Sequence, residues 1–323
     1  MSIKKKICLL IPSYEDWDAV SSLIQQVGAL KLDASIDLSA LIIDDGSTRS
    51  IPKPLFKRKP GSCLGSLGVI ELARNLGHQS AIAVGLGHIA HEKLKFYAVI
   101  VMDGVGEDAP KDILGLISAW KKSDFKSAVF AQRSRRSEGV IFRIFYQLYR
   151  MAYRVLTGTE ISMGNFSLLP KDYVSKLILY PELWRHYPAT VKKSKLSVAL
   201  MPSHRAERLE GKSKMNFYNL ILHGLGAITV HSDIVGVRSL VAVSALLGSC
   251  FIGILSLLYL RFFSNIAVPV LTSTVLISLT VIALQFLSSA IIFSFLTLAA
   301  RSPIALNPAR NYQGFVKRAF RVY

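Results

Sequence analysis

The chain of 323 residues is long enough for one α/β domain of ordinary size and a further segment. Its net charge of +18, from 39 basic and 21 acidic residues, indicates an anionic partner such as a phosphorylated substrate or an acidic membrane surface. We predict no nucleic-acid partner, because the sequence lacks zinc-ligand spacing, an RNP motif and a helix-turn-helix signal.

Short apolar runs alternate with helix-length segments over the first 131 residues. Such runs, each bounded by polar or glycine-bearing turns, are typical of buried parallel strands. The predicted strands are Ile7–Ile11, Ala40–Ile43, Tyr97–Met102 and Ser127–Ala131, and the predicted helices include Asp18–Leu30, His78–Glu92 and Lys111–Trp120. This alternation predicts an open α/β sheet, in which ligands bind at the carboxyl ends of the strands.

Acidic residues follow three of these predicted strands. They are Glu15 with Asp16, Asp44 with Asp45, and Asp103 with Glu107 and Asp108. Because the carboxyl ends of parallel strands meet at one edge of a sheet, we expect these carboxylates to share one site.

Two apolar segments near the carboxyl end are each long enough to cross a bilayer at about 20 residues per span. They cover residues 239–260 and 270–299, and Arg261 is the only charged residue between Ser239 and Ala300. Arg238 precedes the pair and a basic segment follows it. Basic flanks predict that both ends of this hairpin are cytoplasmic.

The segment Val140–Leu156 is basic, aromatic and amphipathic, with Arg143, Arg150 and Arg154 on one helical face. Two interpretations stay open. The helix either packs on the domain with a solvated arginine face, or lies in the membrane interface and contacts lipid headgroups.

Two motifs follow the first two predicted strands, Ile11–Glu15 and Ile42–Ser47. Together they resemble the nucleotide-sugar signature of family 2 glycosyltransferases with the GT-A fold. The resemblance implies that Pro12, Tyr14, Glu15, Asp44, Asp45 and Gly46 bind the donor. Carboxylates there would accept hydrogen bonds from ribose hydroxyls or base N–H groups, and Gly46 would let the backbone pass close to the ligand.

Four further segments extend the resemblance over nearly the whole chain. Ala73–Ala81 matches the "RNxGxxxA" stretch of the polyprenyl-phosphate glycosyltransferase branch, which includes dolichol-phosphate mannose synthases. Met102–Pro110 lies where that branch carries "DxDxQDPP", and Met163–Leu168 looks like its "GDFRL". Residues 208–214 resemble its "RxxGxSK". The implied fold class is a GT-A α/β domain with a transmembrane hairpin.

The resemblance also implies the remaining site residues. The catalytic set is Asp103, Asp108, Arg133 and Lys214. Cationic and hydroxyl side chains would hold the acceptor phosphate. Arg133 and Lys214 are the main candidates, and Arg135, Arg136, Arg208 and Ser213 are further candidates. Two residues have structural alternatives. Asp108 could instead be a helix N-cap, and Asn165 could face the sugar or the acceptor or be a turn residue.

The predicted metal site departs from the family pattern. Val105 stands at the second acidic position and offers no oxygen ligand to Mg²⁺ or Mn²⁺. Glu107 replaces the family's glutamine and adds a carboxylate. We expect Mg²⁺ or Mn²⁺ to be held by Asp103, Glu107 and the donor diphosphate; the alternative is a weakened or absent site.

These observations predict an inverting glycosyltransferase that moves a sugar from a UDP- or GDP-sugar to a polyprenyl phosphate. The expected segments are a GT-A domain (1–205), juxtamembrane helices (206–238), the hairpin (239–300) and a basic cytoplasmic tail (301–323). We expect a multi-pass protein of the cytoplasmic membrane with its catalytic domain and both termini in the cytoplasm. The oligomeric state stays open, a homo-oligomer included.

Two alternatives stay open at this point. Val105 favours a non-catalytic, nucleotide-sugar-binding membrane protein, and a glycosyltransferase could also use another lipid acceptor. Processive polymer synthesis is rejected, because Leu183–His186 lacks the "QxxRW" signature and one hairpin is too little for a channel.

Overall fold

A computed structural model describes residues 4–52, 55, 61–91, 96–133, 140–160, 163–203, 217–263, 270–299 and 307–323. The chain divides into two compact units. The first holds the described parts of 1–145, 161–230 and 306–323, and the second holds those of 146–160 and 231–305.

Within the described residues of the first unit, eight strands form one mixed sheet. They are β1 (Lys5–Ser13), β2 (Ile36–Asp44), β3 (Leu64–Leu72), β4 (Ala98–Val101), β5 (Ala128–Arg133), β6 (Ser167–Pro170), β7 (Val198–Ser203) and β8 (Val316–Arg321). Their order in the sheet is β7-β5-β6-β4-β1-β2-β3-β8. Only β6 and β8 of these run against the others, so six carboxyl ends meet at one edge.

Helices cover both faces of this sheet. They are α1 (Trp17–Gly28), α2 (His78–His91), α3 (Asp112–Lys122), α5 (Lys171–Leu177), α6 (Tyr187–Lys193) and α10 (Pro308–Asn311). Helix α7 (Phe217–Thr229) belongs to the same unit, and α4 (Val140–Thr157) continues into the second unit. Short 3-10 turns cover Pro181–Trp184 and Tyr312–Phe315.

The core has two layers because successive residues of a strand point to opposite faces. In β1, Ile7, Leu9 and Ile11 join the layer under α1 and α3, whereas Cys8 and Leu10 join the layer under α2, α5 and α6. Burial on both faces explains the continuous apolar runs in the sequence. The predicted α/β class is confirmed.

The sequence predicts β1, β2, β4 and β5 within a few residues, but it misses the other four strands. Gly65 and Gly68 interrupt the apolar pattern of β3, and β6 has only four residues. Strand β8 lies within the segment predicted to be a separate basic tail. Residues 316–321 instead pair antiparallel with β3 and form an edge of the sheet. Their Lys and Arg side chains are typical of a protected edge strand.

The second unit contains α8 (Ser232–Phe263) and α9 (Val270–Ala299). Both are long and apolar enough to cross a membrane, and only 6% and 11% of their most apolar stretches are buried. A core helix of a soluble protein would be mostly buried. Helix α8 begins seven residues before the predicted span at Ser239. In this unit Arg238 Nη1 donates to the carbonyl of Val155 at the end of α4, at 2.7 Å.

Candidate active site

Glu15, in the loop after β1, makes three hydrogen bonds to the loop after β2. Its backbone N–H donates to Ser47 Oγ (2.8 Å), and its Oε1 accepts from the N–H and the hydroxyl of Thr48 (2.5 and 2.8 Å). Glu15 has a φ of +54°, a conformation that costs an L-residue energy. The side chain of Glu15 therefore organises the loop that follows β2.

Asp45 and Gly46 hold the loop between β3 and α2. The Asp45 carboxylate accepts from the N–H groups of Leu76 (2.7 Å) and Gly77 (2.9 Å). Burial raises the pKa of Asp45, and these two hydrogen bonds oppose the shift. Gly46 has a φ of +74°, and a Cβ there would lie 2.6 Å from the carbonyl carbon of Arg74. The motif "DDGS" thus shapes the site partly through backbone contacts.

Asp44 lies at the end of β2 and is also buried. Its Oδ1 accepts from the Ser47 N–H at 3.2 Å. Burial raises the pKa of Asp44, and the neighbouring carboxylates Glu71 and Glu15 raise it further. Beside it, Pro12 is buried and Tyr14 is 40% exposed.

Substitution of Asp44 by asparagine should raise the melting temperature of the ligand-free protein at pH 7. Asparagine retains an acceptor for the Ser47 N–H but removes a charge that burial disfavours. A carboxyl group whose pKa is raised by folding contributes stability below its unfolded pKa of about 4, and this contribution is lost as pH rises through the folded pKa. The gain should therefore shrink towards pH 4 in thermal melts.

The matched control is Asp33→Asn. Asp33 is exposed, and its hydrogen bond from Lys121 lowers its pKa, so this substitution should give no gain in melting temperature. A lower melting temperature for Asp44→Asn at pH 7 would show that the buried charge of Asp44 does not destabilise the protein.

Asp103 follows β4 and faces the first turn of α2. Its Oδ1 lies 3.1 Å from His78 Nε2 and 3.4 Å from Asn165 Nδ2. Burial lowers the pKa of His78, but the ion pair with Asp103, helped by Asp108 and Asp45, outweighs it and raises that pKa overall. The raised pKa favours an Nε2–H that donates to Asp103.

Asn165 lies at a bend before β6, and its side chain faces this cluster. Its Oδ1 accepts from Gln79 Nε2 at 3.1 Å, and Gln79 Oε1 accepts from the Tyr187 N–H at 2.6 Å. These contacts fix the amide beside Asp103.

Asp108 supports the loop between β4 and α3. Its side chain is buried and accepts from the backbone N–H of Asp103 at 3.2 Å. The predicted N-cap role is wrong, because α3 begins at Asp112 with Lys111 as its N-cap. Asp108 positions the Asp103 backbone instead.

The predicted metal ligands form a partial donor set. Asp103 and Glu107 are half-buried, and no group of three or more His, Cys, Asp or Glu side chains suited to a metal occurs among the described residues. Mg²⁺ is commonly held by one or two carboxylates together with substrate phosphates and water. The two carboxylates therefore fit a divalent cation that arrives with a diphosphate.

The predicted acceptor-binding residues lie largely outside the described residues. This holds for Arg135, Arg136, Arg208, Ser213 and Lys214. The backbone of Arg133 ends β5 at the carboxyl edge of the sheet, in register with Ser203 of β7.

Two residues near the site were not singled out from the sequence. His78 occupies an unspecified position of the "RNxGxxxA" match. Its partner Asp103 lies 25 residues later in the chain, so the local sequence does not indicate the contact. Glu71 lies one residue before the end of β3, the strand whose apolar pattern the two glycines interrupt.

The chain is similar in sequence to proteins that are named as glycosyltransferases. Over 285 residues, which are 86% of this chain and 84% of the relative, it is 24% identical to an uncharacterized glycosyltransferase of Bacillus subtilis (strain 168), YkcC. The chain is a homologue of bacterial glycosyltransferases. A second relative is the undecaprenyl-phosphate 4-deoxy-4-formamido-L-arabinose transferase of Salmonella paratyphi A. It is 23% identical to this chain over 67% of the chain's length. The match spans just under two thirds of that relative, 64% of its length.

A similar solved structure is the mannosyltransferase PcManGT of Pyrobaculum calidifontis in complex with GDP-Man and Mn²⁺. It is 14% identical, with a TM-score of 0.44 over 90% of this chain and 87% of that one. No protein-family model matches this chain.

Proposed function

We propose that the protein is a membrane-bound inverting glycosyltransferase that moves a sugar from a nucleoside diphosphate-sugar to a polyprenyl phosphate. The observation that carries the proposal is the meeting of Asp44, Asp45 and Asp103 at one sheet edge in a homologue of glycosyltransferases. The acceptor assignment is supported by the Salmonella relative, whose name specifies undecaprenyl phosphate.

In this proposal the donor nucleoside binds beside Pro12, Tyr14 and Asp44. Glu15, Asp45 and Gly46 act mainly by holding the loops that surround it, as their backbone contacts indicate. A site whose loops are fixed before the ligand arrives loses less entropy on binding.

The reacting end of the donor lies at Asp103, supported by Asp108, His78 and Asn165. Held by Asp103, Glu107 and the diphosphate, Mg²⁺ or Mn²⁺ would stabilise charge on the departing nucleoside diphosphate. Asp103 fixes the His78 ring, and Asn165 donates to the same carboxylate oxygen.

The acceptor phosphate is already anionic near neutral pH. One of its oxygens attacks the anomeric carbon as the bond to the nucleoside diphosphate breaks, and the diphosphate leaves with the electron pair. The site must supply position and charge stabilisation rather than a strong base. Arg133 and Lys214 are proposed to hold this phosphate, with Arg135, Arg136, Arg208 and Ser213 as further contacts.

We propose a location in the cytoplasmic membrane, and the two exposed apolar helices support it. Chain segments before α8 and after α9 belong to the same sheet, which supports an even number of crossings. Arg238 before the spans and the basic residues after them support a cytoplasmic location for both ends.

The test is a transfer assay on the full-length protein in detergent. Polyprenyl phosphate, Mg²⁺ or Mn²⁺ and labelled UDP- and GDP-sugars are supplied, and label in the organic phase is counted. We expect label from one donor and its loss with chelator. Arg133→Ala with Lys214→Ala should remove transfer and spare nucleotide binding.

Val105 favours a second candidate function, a non-catalytic nucleotide-sugar-binding membrane protein. Nucleotide binding without transfer from any donor, before and after Val105→Asp, would establish that candidate. Transfer that persists in the double variant would overturn the acceptor assignment and point to another lipid acceptor.

A further inference from the structure

Four polar residues form a continuous row across one end of the sheet. The strand register pairs Ser13 of β1 with Asp44 of β2, Asp44 with Glu71 of β3, and Glu71 with Arg318 of β8. Directly paired residues on neighbouring strands point to the same face, about 5 Å apart. The row therefore extends from the first strand of the domain to a strand that lies after both membrane helices.

The acidic members of this row need a cation. Asp44 and Glu71 are both buried, and two neighbouring buried carboxylates are costly unless they are neutralised and hydrogen-bonded. Arg318 Nη2 donates to Glu71 Oε1. This hydrogen bond and the charge of Glu71 raise the pKa of the Arg318 guanidinium, and the charge of Asp44 adds a smaller effect in the same direction. The strand thus brings the compensating charge to the row.

The row still has polar groups to offer a ligand. Ser13 is more than nine-tenths buried, and its Oγ has no hydrogen-bond partner among the described residues. The Arg318 side chain is 61% exposed, so the planar group that pairs with Glu71 also faces outward. A guanidinium carries five N–H donors, of which the contact to Glu71 uses Nη2.

A nucleoside fits these groups better than a phosphate does. Ribose hydroxyls and base N–H groups are donors that match carboxylate acceptors, whereas a phosphate beside Asp44 and Glu71 would be repelled. A guanidinium can donate to base carbonyl oxygens and stack on a base. We propose that Arg318, paired with Glu71, is a donor-binding residue that contacts the nucleoside of the nucleoside diphosphate-sugar next to Asp44 and Ser13. This inference rests on the proposed function.

The test measures nucleotide binding to the full-length protein in detergent by calorimetry, with UDP, GDP and inorganic pyrophosphate as probes. Arg318→Ala should weaken binding of the preferred nucleotide by about 10- to 100-fold, the usual effect of losing a charged hydrogen bond. Pyrophosphate affinity should change less than threefold, because it lacks the nucleoside. Arg321→Ala is the control: the same chemical change on the same strand should leave affinity within about twofold.

A lysine variant separates binding from folding. Arg318→Lys retains a cation for Glu71 but loses the planar group, so it should keep the wild-type melting temperature and lose about five- to tenfold in nucleotide affinity. If the alanine variant does not fold, the lysine variant decides. Folded Arg318 variants that bind nucleotide within twofold of the wild type would overturn this inference alone. A wild-type protein that binds neither UDP nor GDP would overturn the proposed function as well.

Discussion

Substitution of Asp103 by asparagine should lower the rate of sugar transfer by about 100- to 1,000-fold, the size of effect seen when one charge-stabilising group is removed from an active site. Asparagine keeps the size of the side chain but removes the charge that pairs with His78. It also removes an oxygen charge that a divalent cation would need. Single-turnover rates at saturating donor would report the loss.

The control for this variant is again Asp33→Asn, since Asp33 is exposed and bonded to Lys121 rather than to any site residue. Its transfer rate should equal that of the wild type. An Asp103→Asn rate within threefold of the wild type would show that this carboxylate does not take part in the reaction.

Substitution of Gly46 by alanine should destabilise the protein by about 2–5 kcal/mol. A left-handed residue with a Cβ costs about 1–2 kcal/mol, and forcing an atom into a packed contact costs about 1–3 kcal/mol more. The new Cβ would meet backbone atoms of Arg74 and Asn75 at 2.6–2.9 Å, and backbone cannot move aside as a side-chain tip can. Denaturant unfolding, followed by fluorescence of the buried Trp17 and Trp120, measures this cost.

Gly61 provides a close control for Gly46, because it has the same φ of +74° and, among the described residues other than its chain neighbours, no atom lies within 4 Å of its Cβ position. Gly61→Ala should cost only the conformational part, about 1–2 kcal/mol. Equal losses of unfolding free energy in the two variants would show that the close contact with the Arg74 backbone does not contribute to the cost.

The sequence predicts the central strands well because burial on both faces leaves an unmistakable local pattern. Ile7–Ile11 and Ala40–Ile43 are continuous apolar runs, and both lie inside observed strands. The acidic residues after them meet as expected, since parallel strands end at one edge. Local pattern and global topology agree at these positions.

What the sequence misses depends on distant contacts. Strand β8 pairs with β3 across 247 residues from Arg318 to Glu71, and no local pattern records such a partner. His78 gains its role from Asp103, and Asp108 from a backbone N–H in its own loop. The family motif marks where a site lies, but it does not record the hydrogen bonds that Glu15 and Asp45 make to neighbouring loops.

Closure of the sheet by β8 also sets an order for biosynthesis. Residues 316–321 leave the ribosome only after α8 and α9 have been made, so β3 keeps an unpaired edge while the membrane helices insert. An open edge strand readily pairs with other chains. In the proposed membrane-bound protein, a chain whose synthesis stops before β8 would therefore retain an aggregation-prone edge, and the sheet is completed only after both apolar helices have been made.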